Sequence, residues 1–478
     1  MNLVKRTLIV AAVAVTLRAG WAVWLVVRAP LTPPSSPLVV NDVSQMNPIR
    51  VDQVLAPTTT EEIVEAVRTH RGPVSIGGAR HSMGGQIATE NALFLDMRHF
   101  DRILDFSADT RTITAQAGAT WRQIQDRIDP SNLSICIMQS FANFTLGGSL
   151  SVNGHGRYVG GGPLVQSVQS VKVVLADGSL VEASPTNNED IFDGVIGGYG
   201  GIGVITEATL ALTENVRVKR HSEVMPISKY RAYFVDQVRS QPSAIFHNAN
   251  IFPDTYADVR AVTFSRTNDP VTVPERLFPV DDGYGLNRLA FWILSGWPFG
   301  KQIGRHVIDP LYFRGEPVEW RNYEASSDVA ELEPASRADN TYVLQEYFVP
   351  VEQFDNFVLQ MRRILQTHRV NVVNISIRHA NPDPRSLLAW ARTEVFAFVI
   401  YYEQATTDAA RAEVGAWTRA LIDSVLDVGG SYYLPYQLHA TKAQFRRAYP
   451  RAAEYFALKR RVDPTSKFRN KLLDKYGT

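Results

Sequence analysis

An α+β fold divided between two domains is predicted for this chain, on three observations. Helical and strand-like hydrophobic periods mix within Asn47–Leu212, three glycine-rich loops punctuate that same stretch, and beyond about Val216 the glycine-rich character fades as aromatic residues increase. The length, 478 residues, also exceeds one ordinary domain of roughly 100–200 residues.

Charge and cysteine content narrow the partners. Lys and Arg number 49 against 48 Asp and Glu, so no overall field draws the chain to nucleic acid or another acidic polymer, and a small molecule is the expected partner. The single cysteine, Cys136, excludes an intramolecular disulfide and thiolate-rich metal sites, and no metal is expected. Within the apolar run Leu133–Met138 it reads as a buried, inert thiol.

The first element is apolar. Thr7–Val27, preceded by Lys5 and Arg6, is about long enough to cross a ~30 Å hydrocarbon core as a helix, although the central Arg18 costs roughly 2.5–3.5 kcal/mol on insertion scales. A signal peptide with its apolar region at Leu8–Leu17 is the alternative; the apolar run continuing beyond Gly20-Trp21-Ala22 favours a retained membrane anchor. Lys5 and Arg6 then put the catalytic body on the periplasmic or extracytoplasmic side. Residues 1–28 form this anchor or signal segment, and 29–39, rich in Pro and Ser, a semi-extended linker.

Residues 40–215 form the first globular domain. Thr59 and Glu62 make a capping box ahead of Ile63, Val64, Ala66 and Val67, predicting a helix that ends near Arg68–His70. Strands are predicted at Pro73–Gly77, Ala92–Met97 and Thr112–Gln116, a short helix at Trp121–Ile128, a hairpin over Val168–Ala183 turning at Asp177–Gly178, and a strand at Val204–Leu212. In residues 216–439, the second domain, strands at Tyr342–Val349, Asn371–Arg378 and Val395–Tyr402 alternate with helices such as Val351–His368. Residues 440–478 carry eleven Lys/Arg against three Asp/Glu, which fits either a solvated helical face or contact with an anionic membrane surface.

The chemistry concentrates in the loops. Ile76-Gly77-Gly78-Ala79-Arg80-His81-Ser82 leaves a strand and continues to Gly84 and Gly85; glycines without Cβ let backbone N–H groups converge on an anion such as a diphosphate, and Ser82 adds a donor. A second cluster, Thr145-Leu146-Gly147-Gly148-Ser149-Leu150-Ser151-Val152-Asn153-Gly154-His155-Gly156, and a third, Gly197 to Gly203 leading into Val204-Ile205, suit a large two-ended ligand. Gly198, Gly200 and Gly203 spell G-x-G-x-x-G. That fingerprint must open a helix to hold a pyrophosphate, however, and here β-branched residues follow it, which argues against a nicotinamide site.

These three loops resemble the FAD-binding domain of the vanillyl-alcohol oxidase and p-cresol methylhydroxylase superfamily, the PCMH type. The Gly-x-x-His-Ser stretch is similar to the phosphate loop in which alditol oxidases, aldonolactone oxidases and cytokinin dehydrogenases bond the flavin 8α-methyl group to histidine, here His81. The C-terminal run from Asp463-Pro464 to Phe468-Arg469-Asn470 is similar to the closing segment of the sugar oxidases in that superfamily. The resemblance implies a PCMH-type fold of two small α+β subdomains, an α+β substrate domain with an antiparallel sheet flanked by helices, and a C-terminal segment returning to the FAD domain. It implies FAD, bonded covalently to His81 in that family's manner and held by Ile76, Gly77, Gly78, Ala79, Arg80, His81, Ser82, Gly118, Thr145, Gly147, Gly148, Ser151, Asn153, Gly154, His155, Gly203, Val204, Ile205 and Asn470.

For the substrate end the resemblance points to Arg378, on the strand Asn374-Ile375-Ser376-Ile377-Arg378-His379, as the arginine over the flavin; an ordinary strand arginine is the alternative. Ser376 stands where alditol oxidases have glutamate, and Tyr436 in SYYLPYQLHAT stands where they have lysine, so the substrate widens to a small polyol, sugar lactone or related alcohol. Glu346 and His439 are further polar candidates. The C-terminal pattern is also similar to decaprenylphosphoryl-ribose oxidase, which suggests a lipid-linked alcohol, although that enzyme lacks the flavin-bonding histidine. The electron acceptor stays open between O2 and a quinone or cytochrome. A non-catalytic flavin-binding module is a minor alternative, and no hydrolase motif of the G-x-S-x-G, H-E-x-x-H or Walker type occurs.

Overall fold

In the computed structural model, residues 20, 36–280, 285–297, 299–329 and 336–477 are described. Thr7–Val27, the segment read above as an anchor, lies outside them apart from Gly20; among the described residues no helix is long and apolar enough to cross a membrane.

The first subdomain is a three-stranded parallel sheet in the order Gln53–Leu55, Leu93–Asp96, Val74–Gly77. Parallel neighbours need a crossover, and the helix Thr60–Thr69 supplies it between the outer two. Both halves of its capping box form, and Ile63 and Val67, four residues apart, are its buried face. The second subdomain is antiparallel, ordered Leu180–Ala183, Val168–Val174, Val204–Glu214, Thr112–Gln116, Ile103–Ser107, with Leu133–Ile135 also pairing with Val204–Glu214. The helix Trp121–Ile128 has the bounds its sequence pattern gives, opened by a Thr120–Gln123 capping box.

The substrate side is built on an eight-stranded antiparallel sheet. Its order is Val318–Trp320, Arg217–Pro226, Asp258–Arg266, Ala244–Ile251, Val372–Ala380, Val395–Ala405, Asn340–Pro350, Ser431–Tyr432. Eight consecutive residues of the central strand, Val395–Tyr402, are buried, because the strand is covered on both faces. On one face Phe396 and Phe398 pack against Phe354 and Phe357 of the helix Phe354–Thr367. On the other, Val399 and Tyr401 face a deep cleft. The predicted helix Val351–His368 proves to be a 3-10 turn, Val351–Gln353, followed by that α-helix.

After leaving this sheet the chain bonds back onto the first subdomain. Phe468 bridges Val74 in parallel, Arg469 N–H donates to Val74 O (3.0 Å), and Ser75 Oγ donates to Arg469 O (2.7 Å). The basic excess here is only partly a solvated face: Lys467 Nζ donates to Val67 O (2.6 Å), and Arg451 Nη1 to Arg385 O (2.9 Å). Lys459 is buried, with Nζ donating to Gly201 O, Asp463 Oδ2 and Phe468 O at 2.8–2.9 Å, so it ties the third glycine loop to the closing segment. Asp463 would keep its bonds from the backbone N–H groups of Lys467 and Phe468 in a Lys459→Met variant. We therefore expect a loss of about 1–3 kcal/mol, the scale of charged hydrogen bonds, measurable by denaturant unfolding; an unchanged midpoint would mean that the hub contributes nothing.

Candidate active site

All three glycine loops meet at one cleft, open at its mouth. Its lining runs from the loops of both small subdomains to three strands of the large sheet, an extent that suits a dinucleotide with a substrate beside it. Of the proposed cofactor residues, Ile76, Gly77, Gly78, Ala79, Arg80, His81 and Ser82 line it from the first loop, Thr145, Gly147, Gly148, Ser151 and His155 from the second, and Gly203 and Ile205 from the third. The first two loops are in contact: a Cβ on Gly78 would lie 2.1 Å from Thr145 Oγ1, so any side chain there would have to displace the Thr145 hydroxyl. Arg80 adopts the left-handed region (φ 63°), with its guanidinium donating to Asp96 Oδ2 (2.8 Å) and lying 4.9 Å from the Phe94 ring centroid. Anchoring residue 80 in this way turns His81 toward the cleft.

His81 is half-buried, but its Nδ1 is sealed from water and has no hydrogen-bond partner in the protein; the ring packs 4.3 Å from Phe144. Burial, and secondarily the nearby charge of Arg337, push its pKa down to about 4, so the imidazole is neutral at physiological pH. Arg80 Nε, Ser140 Oγ, Ser149 Oγ and Arg378 Nε are likewise buried, unpartnered and carried by residues lining the cleft. Buried polar atoms are normally satisfied, and a polar, multi-ended ligand such as FAD would satisfy a set of this kind.

At the opposite end, strand alternation aims Tyr342, Leu344 and Glu346 into the cleft. Arg378 and Glu346 come from the two strands flanking Val395–Ala405, opposite Ala397 and Val399 respectively. Burial lowers the guanidinium pKa of Arg378, and Glu346 opposes that shift most strongly. Glu346 Oε2 accepts from Tyr436 Oη (3.2 Å), while Oε1 lies 2.6 Å from His155 Nε2. Burial first, then Glu346, raises the Tyr436 pKa well above its ordinary value, which keeps the phenol a donor. A carbonyl only accepts, so the 3.2 Å contact from His155 Nδ1 to Gly156 O takes one ring hydrogen; the short Nε2 contact then needs a second, held by either partner. The segment carrying Tyr436 is also tied to the histidine loop: Met83 N–H donates to Pro435 O (2.7 Å), and Gln86 Nε2 to Leu434 O (2.6 Å) and Tyr436 O (2.8 Å).

Five proposed cofactor residues do not line the cleft. Gly118 is pressed against backbone, where a Cβ would meet Met97 O at 1.9 Å. Asn153 turns its amide to Asp383 and Ser386, Gly154 packs on Gln139, and Val204 is fully buried in its strand. Asn470 caps the last helix and donates to Tyr199 O (2.8 Å). These residues shape the loops from behind. His439 is also off the cleft, with Nε2 on Gln437 Oε1 (2.8 Å). Lining residues without a motif, Val43, Gln139, Ser140, Phe144 and Arg337, were not legible from the sequence.

Comparison with known proteins agrees with this architecture. Residues 51–184 match the FAD binding domain family, and residues 335–476 match the D-arabinono-1,4-lactone oxidase family. L-gulonolactone oxidase of Bos taurus is 21% identical over 433 residues, 88% of this chain and 93% of that protein. Alditol oxidase of a Streptomyces species is 24% identical over 431 residues, 88% and 94% of the two chains. An oxidoreductase from the fasciation locus of Rhodococcoides fascians is 30% identical over 200 residues, covering 40% of this chain and 44% of its own length. The two-subdomain loop architecture and these matches identify residues 51–184 as a PCMH-type FAD-binding domain. The chain is an FAD-dependent oxidoreductase acting on CH–OH donors, and its residues 335–476 are of the D-arabinono-1,4-lactone oxidase type.

Proposed function

We propose that the chain oxidises a CH–OH group of a small polyol or sugar lactone, with its flavin bonded to His81 and O2 as acceptor. The observation that carries the reading is the buried, partnerless Arg378 Nε beside the Tyr436–Glu346–His155 chain at one end of the loop-lined cleft. Bound FAD supplies the two-electron acceptor. Arg378 supplies a fixed positive charge to orient the substrate oxygen, and Glu346, held between Tyr436 and His155, is the group placed to take its hydroxyl proton. The whole-length likeness to a lactone oxidase and an alditol oxidase supports the substrate class. Anaerobic mixing with a panel of polyols, lactones and simple alcohols should bleach the flavin, and air should then yield peroxide. A flavin that no member of the panel bleaches would favour the non-catalytic module; bleaching without peroxide would favour a quinone or cytochrome.

Localisation rests on the sequence of Thr7–Val27: we place the N-terminal segment in a membrane with the body on the extracytoplasmic side. Full-length protein should sediment with membranes, and a chain beginning at Val40 should not. Full-length material that stays in the supernatant without detergent rules the anchor out, and digestion of the body by protease added from the cytoplasmic side reverses the orientation. A second reading of the substrate, a lipid-linked or membrane-derived alcohol, is favoured by the same apolar segment.

A further inference from the structure

Of the ten large apolar side chains exposed among the described residues, six lie between positions 280 and 312: Val280, Trp297, Phe299, Val307, Leu311 and Tyr312. They belong to or adjoin a run of short helical pieces, Gly285–Gly296, Gly300–Ile303, Gly304–Ile308 and Asp309–Tyr312, inserted between two strands of the large sheet. Phe299, Leu311 and Tyr312 are more than two-thirds exposed, at 76%, 67% and 71%. Soluble surfaces rarely concentrate such residues in one element without something to cover them. The charges of this run are largely spent inside the protein: Arg305 pairs with Asp254 (3.2 Å) and Asp258, Lys301 Nζ is buried, and Asp309 is held by Arg260 (Nε to Oδ1, 2.8 Å), so what the run offers outward is mainly apolar.

Position says what covers the patch. Phe291 of the first helix packs edge-on to Tyr401 (5.8 Å between ring centroids), and Ser295 shares a 2.8 Å hydrogen bond with Tyr342; both tyrosines line the cleft. The residue next to Tyr342, Thr341, donates from Oγ1 to Ser44 O (2.9 Å). The body's own N-terminal stretch, preceded by the apolar segment Thr7–Val27 and the Pro/Ser linker, therefore comes in beside the first helix of this run, at one end of one strand.

We propose that the helical run 285–313 is a membrane-seating surface that sets the mouth of the cleft against a lipid bilayer. The inference rests on the reading that the N-terminal segment holds the chain at a membrane, and it makes an amphiphilic alcohol, presented from the bilayer, the substrate best placed to enter. The exposed aromatic and aliphatic side chains, Phe299, Leu311 and Tyr312 foremost, enter the interfacial layer.

The test uses full-length holoenzyme in a Cys136→Ser background, carrying an environment-sensitive thiol probe at Leu311→Cys. It is mixed with phosphatidylcholine–phosphatidylglycerol vesicles containing a nitroxide-labelled lipid. Leu359→Cys is the control, since Leu359 is 67% exposed but lies on the helix covering the opposite face of the sheet. Quenching severalfold stronger at Leu311 than at Leu359 is the expected result, and Phe299→Cys gives a second probe should the first variant misfold. Equal quenching at both sites, or none at Leu311, overturns the seating surface. Cosedimentation with vesicles is read in parallel: protein that sediments with an unquenched Leu311 probe keeps its anchor and loses this proposal, whereas protein that does neither loses both. A spectral shift at Leu311 that needs high protein concentration but no vesicles would make a second copy of the chain the occupant, and would also overturn it.

Discussion

Replacing Arg378 with alanine should slow anaerobic flavin reduction by ~10²-fold or more while leaving the flavin bound, the size expected when one preorganised electrostatic contact is removed. Two features of the site set that magnitude. Arg378 is half-buried with its Nε sealed and unpartnered, so its charge is not dissipated in an internal ion pair, and no other guanidinium or ammonium group from the strands Asn340–Pro350 and Val395–Ala405 faces the cleft at that end. Glu346, the carboxylate that most supports the charged form, is itself held by Tyr436 and His155, which limits how far it can move to compensate. Flavin retention follows from the separation of parts, because the three glycine loops lie on the two small subdomains and Arg378 on the large sheet. Stopped-flow reduction with a substrate that bleaches the wild type separates the outcomes. Unchanged rates would reduce Arg378 to a strand residue near the cleft, and loss of flavin would make it a cofactor ligand instead.

What the sequence displayed and what it hid follow the range over which each signal acts. Trp121–Ile128 is bounded by its own cap and its own apolar period, so it could be placed residue for residue. The third glycine loop could be separated from a nicotinamide site because the decisive feature, a strand and not a helix after Gly203, is adjacent in sequence, and Val204–Glu214 is that strand. The Glu346–His155 contact joins residues 191 apart, and no local pattern announces it. Arg337, which helps keep His81 neutral, comes from a segment with no motif. Asn153 and Asn470 illustrate the opposite error: both occur in motif runs, but their side chains brace the backbone behind the cleft. That Phe299, Leu311 and Tyr312 stay exposed was hidden as well, because an apolar side chain reads the same in sequence whether it is buried or open.

His81→Ala should give protein from which all flavin passes into the supernatant on acid denaturation, whereas the wild type should stay yellow in the pellet and fluoresce as a band on a denaturing gel. A ring nitrogen can bond carbon only through a free lone pair, and burial together with Arg337 holds the His81 pKa at about 4, more than two pH units below neutrality. Access is open as well: Nδ1 has no protein partner to surrender, and Phe144 fixes the ring plane from one side. The native variant should still bind FAD reversibly, because Gly78 against Thr145, the Arg80–Asp96 pair and the third loop do not depend on the imidazole. An unlinked flavin is also expected to be the weaker oxidant, so the variant should be reduced more slowly by the same alcohol. Wild-type flavin that washes out completely on denaturation would remove the covalent link while leaving the fold and the loops as they stand; the site would then hold its cofactor through the loops alone, and the slower reduction of the variant should vanish with it.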